Sequence, residues 1–405
     1  MEKIKNMWRK FLGLFKEEQV PTDDLEAYRA TIKKNKRKRY IKIAIVIAVI
    51  LLAVILVRYF VIHHKYNSYS VTGTVEKTDS SATNYLQLGN NVLRYSNDGA
   101  SLTSETDKTI WNDTYEISNP VADICGDAGV VYEKNGTGVE VFNGEGPLGS
   151  FKTELPIIKA RVSSQGAVAA ILEDGETTWI NYYTSTGSVI ASSSTGITTP
   201  GYPVDIDISK NGMVLGVSFL VVDGDTTGTY MAFYNFGDAG QSKEDNLVSG
   251  FRYSGVLVPQ VAYLEGNTAV AFREDGFTLF KGSQTPEESK TIQFADEIVS
   301  AFHNDSYLGF VFKSATEDHK FRMEVYNASG KQIFEQGFDI VYDEVKFSGD
   351  QIIMNNGTQI SVFSLHGVEK FTGNVEEGQI TEIMKIRNNR YMMVLNGSIE
   401  TIKLK

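Results

Sequence analysis

Apolar residues follow two different patterns along the chain. From Ile43 to Ile62 they form an unbroken run of twenty residues in which Arg58 carries the only charge. At a helical rise of about 1.5 Å per residue, such a run is about 30 Å long, which is the thickness of the hydrocarbon core of a membrane. The run therefore predicts one transmembrane helix over residues 43–62. A buried core helix is the alternative, but an aliphatic run of this length does not favour it.

Charged residues flank this run unevenly. Basic residues crowd its N-terminal side, whereas the other side offers two histidines and Lys65. Because positively charged flanks stay in the cytoplasm, we expect residues 1–42 inside the cell and the chain after about residue 63 outside. Cleavage as a signal peptide is not expected, since the run is too long and no small-residue cleavage site follows it. The basic residues are Lys33, Lys34, Lys36, Arg37, Lys38, Arg39 and Lys42.

The basic N-terminal segment also has a helical pattern. Five large apolar residues recur at helical spacing among lysines and arginines, namely Ile4, Met7, Trp8, Phe11 and Phe15. This pattern predicts a short amphipathic helix within the cytoplasmic segment 1–42. Such a helix either lies on an anionic membrane surface or docks on a partner protein.

A second pattern begins at residue 66, where short alternating apolar runs are separated by Gly, Asn, Asp and Ser. One unit recurs every forty to fifty residues: a strand that ends in an aromatic residue, with glycine four positions later. Other strands precede and follow this element, and four short strands in a unit of this length are typical of a β-propeller blade. The pairs are Tyr95–Gly99, Phe142–Gly146, Tyr183–Gly187, Phe236–Gly240, Tyr326–Gly330 and Phe363–Gly367, with a degraded copy at Phe280.

The number of repeats predicts an all-β propeller of eight blades over residues 84–405. The last blade, which ends with Ile399–Leu404, lacks a fourth strand. Ser68–Lys77, in the linker 63–83, could supply that strand and close the ring between the chain ends. The first blade is then one strand short, so a propeller of seven blades remains an alternative. A pair of β-sandwiches is the structural alternative, although it would not need this four-strand order.

Short motifs within the repeats resemble known propellers. Asp107-Lys-Thr-Ile-Trp111 resembles the last strand of a quinoprotein blade, and Ser209-Lys-Asn-Gly212 resembles the turns of bacterial WD-like propellers. The whole arrangement, including Gly201-Tyr-Pro and Phe233-Tyr-Asn-Phe236, resembles an uncharacterised family of single-pass, membrane-anchored propeller proteins of Gram-positive bacteria. This resemblance implies the fold and the topology, and it implies no activity.

Composition limits the partners of the chain. Residues 1–65 hold 15 Lys or Arg against 6 Asp or Glu, whereas the remainder holds 24 against 44. The acidic remainder would repel the phosphates of nucleic acids, so we expect no nucleic-acid partner. The lone Cys125 cannot form an internal disulfide, which excludes a disulfide-stapled module. An apolar run surrounds it, and we interpret it as a small buried residue.

The sequence contains no motif that points to catalytic, cofactor-binding or metal-binding residues. His63 and His64 flank the membrane run, and His303, His319 and His366 are not accompanied by a clustered ligand set. Asp223–Gly228 matches the first half of a calcium loop, but Tyr234 stands where the bidentate Glu is needed, so we interpret it as a hairpin turn. No cofactor is expected.

Three functions remain for such a chain. The first is a binding or scaffolding module, anchored in the cell membrane, that holds protein or cell-envelope partners on a face of an extracytoplasmic propeller. The second is an extracytoplasmic enzyme, a glycan hydrolase or a quinoprotein-like protein, which would need carboxylates or a cofactor in the central channel. The third is a ligand sensor. A deep pocket with two converging carboxylates favours the enzyme, whereas an exposed patch on one face favours the scaffold.

Overall fold

The structure, a computed structural model, describes residues 25–77, 82–104, 108–175, 177–196 and 200–405. The chain divides into two compact units, one ending at His64 and the other running from Lys65 to Lys405. The amphipathic helix expected at Ile4–Phe15 lies outside the described residues.

The first unit contains one long helix, α1 (Leu25–His63). Neither glycine nor proline interrupts its sequence, so nothing in the run breaks the backbone hydrogen bonds of the helix. Its segment Tyr28–His63 is long and apolar enough to cross a membrane, and the most apolar window has a mean hydropathy of 3.1. The side chains of that window are not buried in the protein. The predicted run Ile43–Ile62 is therefore helical throughout, and the same helix includes the basic residues before it.

The second unit is a β-propeller. Its described residues form eight four-stranded antiparallel sheets, or blades, in which strands that follow one another in sequence pair side by side. The first four blades are β2–β5 (Asn84–Leu88, Asn91–Ser96, Gly99–Thr103, Thr109–Thr114), β6–β9 (Pro120–Cys125, Ala128–Glu133, Gly138–Asn143, Pro147–Lys152), β10–β13 (Ile157–Val162, Val168–Asp174, Thr177–Tyr183, Val189–Thr195) and β14–β17 (Tyr202–Ile208, Val214–Asp223, Thr226–Asn235, Leu247–Ser254).

The remaining blades repeat this arrangement. They are β18–β21 (Gln260–Leu264, Thr268–Arg273, Gly276–Lys281, Glu287–Gln293), β22–β25 (Ile298–His303, Tyr307–Lys313, Phe321–Asn327, Gln332–Phe338), β26–β29 (Glu344–Ser348, Gln351–Asn355, Gln359–Ser364, Glu369–Asn374) and β30–β32 (Ile380–Arg387, Arg390–Leu395, Ser398–Leu404) with β1 (Tyr69–Glu76). A short helix, α2 (Asp238–Gln241), and a 3₁₀ turn at Glu244–Asn246 interrupt the fourth blade between β16 and β17.

The chain ends meet in blade 8. Strand β1 pairs antiparallel with β32, from Tyr69 opposite Leu404 to Glu76 opposite Ser398. Next to this pair, the backbone N–H groups of Asn67 and Ser68 donate to the carbonyl of Lys405. The prediction that Ser68–Lys77 supplies the closing strand is confirmed. Because the first strand of the propeller unit completes the last blade, the two ends of this unit hold the ring closed.

The first blade is complete, which corrects one expectation. The first blade was expected to be one strand short, because Tyr95 was counted like the aromatic residues of the later copies, which mark third strands. In the structure Tyr95 lies in the second strand, β3, and Asn84–Leu88 precedes it as the innermost strand. Its spacing to Gly99 comes from the turn between the second and third strands, and this turn produces the same local signal as the later repeats. The propeller has eight blades, and the seven-blade and β-sandwich alternatives are wrong.

Apolar side chains between neighbouring blades form the core. The rings of Phe277 in blade 5 and Phe310 in blade 6 stack with centroids 5.2 Å apart. The same kind of contact closes the ring, since Val92 of blade 1 lies in one buried cluster with Met384 and Met392 of blade 8. A four-stranded sheet cannot bury both of its faces alone, so each blade depends on its neighbours.

The turns and connections between strands lie on two opposite faces of the propeller. Turns between the first and second strands, and between the third and fourth, lie on the side where the chain enters β1; we call this the N-terminal face. Turns between the second and third strands lie on the other side with the connections between blades; we call this the connection face. Backbone hydrogen bonds join the two kinds of segment there, for example from Glu274 N–H to the Leu257 carbonyl.

Candidate functional site: the central channel and the connection face

The innermost strands of the blades line the central channel. At the N-terminal face, blades 2 to 6 enclose a cavity of about 80 Å³. Its charged and polar lining residues are Asp123, Cys125, Arg161, Asp207, Lys210, Tyr263, His303 and Asp305. They come from five separate repeats, so the ring closure alone brings them together.

Arg161 connects the neighbouring blades 2, 3 and 4 through one ion pair and one hydrogen bond. Arg161 Nη1 donates to Asp123 Oδ1 at 2.7 Å, and Arg161 Nε donates to the Ile206 carbonyl at 3.3 Å. The other oxygen of Asp123 accepts the backbone N–H of Val162 at 2.9 Å. Nearby carboxylates, Asp123 first, raise the pKa of Arg161 against the opposing effect of burial. The hydrogen bonds of both side chains therefore connect neighbouring blades.

Blade 4 contributes two aspartates, Asp205, which is buried, and Asp207, which is half-buried. Asp205 pairs with Lys159 Nζ at 2.5 Å and accepts the backbone N–H of Val261 at 2.8 Å. Asp207 accepts the backbone N–H of Tyr263 at 2.5 Å. Burial raises the pKa of Asp207 to about 7, although Arg161 opposes the shift. The buried hydroxyl of Tyr263 has no hydrogen-bond partner among the described protein atoms.

The remaining groups of the cavity are poorly suited to nucleophilic chemistry. Burial raises the pKa of the Cys125 thiol to about 12, and neighbouring aspartates add to the effect, so the thiol is protonated at neutral pH. Burial and Arg161 lower the pKa of His303 to about 4, which keeps the imidazole neutral. Lys210 Nζ pairs with Asp305 at 2.6 Å, joining blades 4 and 6.

A second network joins blades 7, 8 and 1. Lys346 Nζ contacts Glu344 at 2.9 Å and also pairs with Glu382. Burial would lower the pKa of Lys346, but these two carboxylates raise it. Ser348 Oγ donates to Gln87 Oε1 at 3.0 Å, and the Gln87 amide donates to the Lys385 carbonyl at 2.9 Å. These bonds link the last blade to the first.

The channel residues therefore act mainly between blades. Pockets for small ligands usually measure about 300–1,000 Å³, and the channel cavity is smaller. In the described parts of the chain, no group of three or more His, Cys, Asp or Glu side chains is arranged to hold a metal ion.

The histidines considered from the sequence do not come together. His303 lies at the N-terminal end of the channel, whereas His319 lies in the turn 314–320 on the connection face, 3.0 Å from Asp339. Asp223–Gly228 forms a hairpin turn, as expected, with Asp223 opposite Thr226. The sequence patterns did not predict the cluster of charged residues in the channel, because they compare the repeats by their aromatic strands. Charged residues in the first strands, such as Asp123 and Arg161, were the available signal.

The two faces of the propeller differ strongly in charge. Among the described residues, the turns and connections of the connection face hold fourteen acidic residues against three lysines, and those of the N-terminal face hold eight against six. The acidic residues of the connection face are Asp98, Glu116, Glu154, Asp225, Glu274, Asp275, Asp296, Glu297, Glu317, Asp318, Asp339, Asp343, Glu376 and Glu377. All but Asp275 are exposed. The connection face is therefore the more negative surface.

Apolar residues are also exposed on the connection face. Val299 is 43% exposed, Val341 56% and Leu257 36%. Val299 is left out of the strand pairing by a bulge in β22, where Ile298 and Ser300 face consecutive residues of β23. A bulge turns a side chain away from the regular pleat. The connection face therefore combines exposed acidic residues with exposed apolar residues.

A family model described as "Family of unknown function (DUF5711)" matches residues 62–404. No curated protein matches the sequence. Among solved structures, Sqt1 from Saccharomyces cerevisiae is similar over 83% of this chain and 99% of its own, with 12% identity and a TM-score of 0.52. BamB from Moraxella catarrhalis is similar over 83% of this chain and 100% of its own, with 12% identity and a TM-score of 0.49. At such identities the similarity shows the propeller fold alone.

Proposed function

Because the chain belongs to the DUF5711 family of unknown function, we propose a function from its geometry: it is a membrane-anchored, extracytoplasmic propeller that binds protein partners of the cell envelope. The observation that carries the proposal is the contrast between the channel and the connection face. The channel carboxylates are engaged between blades, whereas the connection face presents exposed charge and apolar side chains.

The anchor is helix α1. Its apolar run fits the thickness of a membrane, and the basic residues that precede the run support a cytoplasmic N-terminus by the positive-inside rule. The propeller then lies outside the cytoplasm. This agrees with the resemblance to single-pass propeller proteins of Gram-positive bacteria.

Labelling of single cysteines in intact cells tests the topology. In a Cys125→Ser background, we expect a membrane-impermeant maleimide to label an Asp225→Cys thiol on the propeller of intact cells. The matched Lys36→Cys variant, in the basic segment, should react only after permeabilisation. The opposite pattern would refute the orientation, and labelling of neither position before permeabilisation would place the propeller inside the cell.

Photocrosslinking in intact cells tests the binding role. A photoreactive residue is placed at Val341 on the connection face, and in a separate variant at Glu145 on the N-terminal face. A binding module gives discrete protein adducts of constant mass from at least one face. Absence of adducts from both positions, together with turnover of an envelope glycan by the purified chain, would contradict the scaffold and support an enzyme.

One observation favours a second candidate, a sensor that binds a small ligand in the channel. The cavity at the N-terminal face is lined by Tyr263, whose hydroxyl has no partner among the described atoms, and by the half-buried Asp207. A ligand that binds the folded state raises its melting temperature. A thermal-shift screen of small polar solutes should then give hits with the wild-type chain that a Tyr263→Phe variant loses. No hit that depends on Tyr263 would refute this candidate.

A further inference from the structure

Negative charge on the connection face is concentrated over three blades. The turns and connections 255–259, 274–275, 294–297, 314–320 and 339–343, which belong to blades 5 and 6 and lead into blade 7, form what we call the acidic sector. They hold eight of the fourteen acidic residues of that face and one lysine. Two of the eight are already paired with arginine, Asp275 with Arg273 at 2.7 Å and Asp296 with Arg322 at 2.8 Å. The other six still exceed the one lysine, so the sector keeps a net negative charge, which attracts cations over about 8 Å at physiological ionic strength.

Exposed apolar residues lie among these charges. Glu297 and Val299 are two residues apart at the start of blade 6, and Val341 and Asp343 are two residues apart at the start of blade 7. All four side chains are exposed. The innermost strands of these two blades are neighbours in the ring, so the two charge–apolar pairs belong to one surface. A ligand for this surface needs positive charge and apolar groups at short spacing.

We propose that the acidic sector binds a basic, partly apolar segment of another protein. Its lysine or arginine side chains pair with exposed carboxylates such as Glu297 and Asp343, while an apolar side chain packs on Val299 and Val341. This proposal rests on the proposed binding function and names the chemistry of the partner. Charge complementarity steers such a segment to the surface and fixes its position there, and the apolar contact adds affinity.

Other occupants fit this surface less well. An anionic envelope polymer would meet a net negative surface, and bridging by divalent cations needs clustered ligands, which the described residues do not provide. A second copy of the chain would bring the same negative face, which repels it. The basic residues before the membrane run of such a copy could not pair with this face, because they lie in the cytoplasm under the proposed topology.

Binding of defined peptides by the full-length protein in nanodiscs of zwitterionic lipid tests the proposal. The probe is a fluorescent peptide with four Lys-Val-Gly-Ser repeats. Matched peptides carry Glu in place of Lys, or Ser in place of Val. We expect the Lys-Val peptide to bind at least tenfold more tightly than the Glu-Val peptide, and to lose most of this advantage when salt is raised to about 1 M, where the Debye length falls to about 3 Å.

Paired variants locate the site. Exposed ion pairs contribute about 0.2–1 kcal/mol each, so Glu297→Gln with Asp343→Asn should weaken binding about two- to thirtyfold. The control, Glu145→Gln with Glu244→Gln, removes the same net charge from the N-terminal face and should leave the dissociation constant within twofold of wild type. Thermal unfolding checks that both double variants are folded.

The apolar contribution is tested in the same way. Val299→Ser with Val341→Ser should weaken binding of the Lys-Val peptide and leave binding of the Lys-Ser peptide unchanged. The control, Ile110→Ser with Val189→Ser, replaces exposed apolar residues on outermost strands and should affect neither peptide.

Several outcomes would overturn the proposal. Equal losses from the two carboxylate pairs would show a general charge effect, and equal binding of the Glu-Val peptide would exclude the acidic sector as the site. If photocrosslinks form only from the N-terminal face and the Lys-Val peptide does not bind, the binding function stands and this inference fails. If no position crosslinks and a glycan is turned over, the proposed function itself fails.

Discussion

Replacing Asp207 by Asn tests how deeply the channel aspartate is buried. Burial raises the pKa of this carboxyl from 3.8 to about 7, even though Arg161 and the backbone N–H of Tyr263 favour the ionised form. Asparagine has nearly the same size, and its carbonyl oxygen can still accept the hydrogen bond from Tyr263. The substitution therefore removes the titration and changes the packing little.

The sign and the size of the effect follow from proton counting. Between pH 3.8 and about 7 the folded protein keeps the Asp207 proton and the unfolded chain has released it, so the free energy of unfolding falls as pH rises. This stabilising contribution is fully present below the unfolded pKa and is lost as pH rises through the folded pKa. One pKa unit corresponds to about 1.4 kcal/mol, and the folded carboxyl is half titrated at pH 7, so wild type loses about 2 kcal/mol between pH 5 and pH 7, and the variant does not.

Thermal unfolding of the full-length chain in detergent at pH 5, 6, 7 and 8 measures the effect. We expect the melting temperature of Asp207→Asn to gain on wild type by several degrees as pH rises from 5 to 7, and the difference to level off above pH 7. Asp343→Asn is the matched control, because it removes an exposed carboxylate. If the curves of Asp207→Asn and wild type run parallel across this range, the carboxyl is not held in a desolvated site and the account of the channel is wrong.

Three further substitutions or reactions test other parts of the propeller. Gly276→Ala should lower the free energy of unfolding by about 2–4 kcal/mol in a urea titration, because φ is +148° and a new Cβ would lie 2.0 Å from a backbone carbonyl oxygen; an unchanged midpoint would contradict this. Lys346→Met should cost about 3–5 kcal/mol by leaving Glu382 without its cation, and Lys346→Met with Glu382→Gln should recover part of it; no recovery would mean that packing and not charge was lost. With a pKa of about 12, the Cys125 thiol should react with a maleimide at pH 8 about a thousandfold more slowly in the folded protein than in urea, and equal rates would exclude the burial described.

Local sequence patterns were sufficient to predict the long helix, the strands and the number of blades. The apolar run of residues 43–62 predicts a helix because an uninterrupted aliphatic stretch satisfies its backbone only within itself in an apolar medium. The alternating strands predict blades because their spacing repeats. Even the closing strand at residues 68–77 followed from counting, since an incomplete last blade needs a partner. The one error, the position of Tyr95, arose because different hairpin turns share the same short-range spacing of aromatic and glycine.

The candidate sites depend on contacts that no local pattern contains. Arg161 meets Asp123 because the first strands of blades 2 and 3 lie side by side in the ring, and the hydrogen bond from Tyr263 to Asp207 spans 56 residues of sequence. The acidic sector likewise appears only after the ring sorts the turns onto two faces. Sequence periodicity specifies which residues form strands. The register between blades, and with it which charges are buried together or exposed on one side, is set by packing of separate sheets around a closed ring.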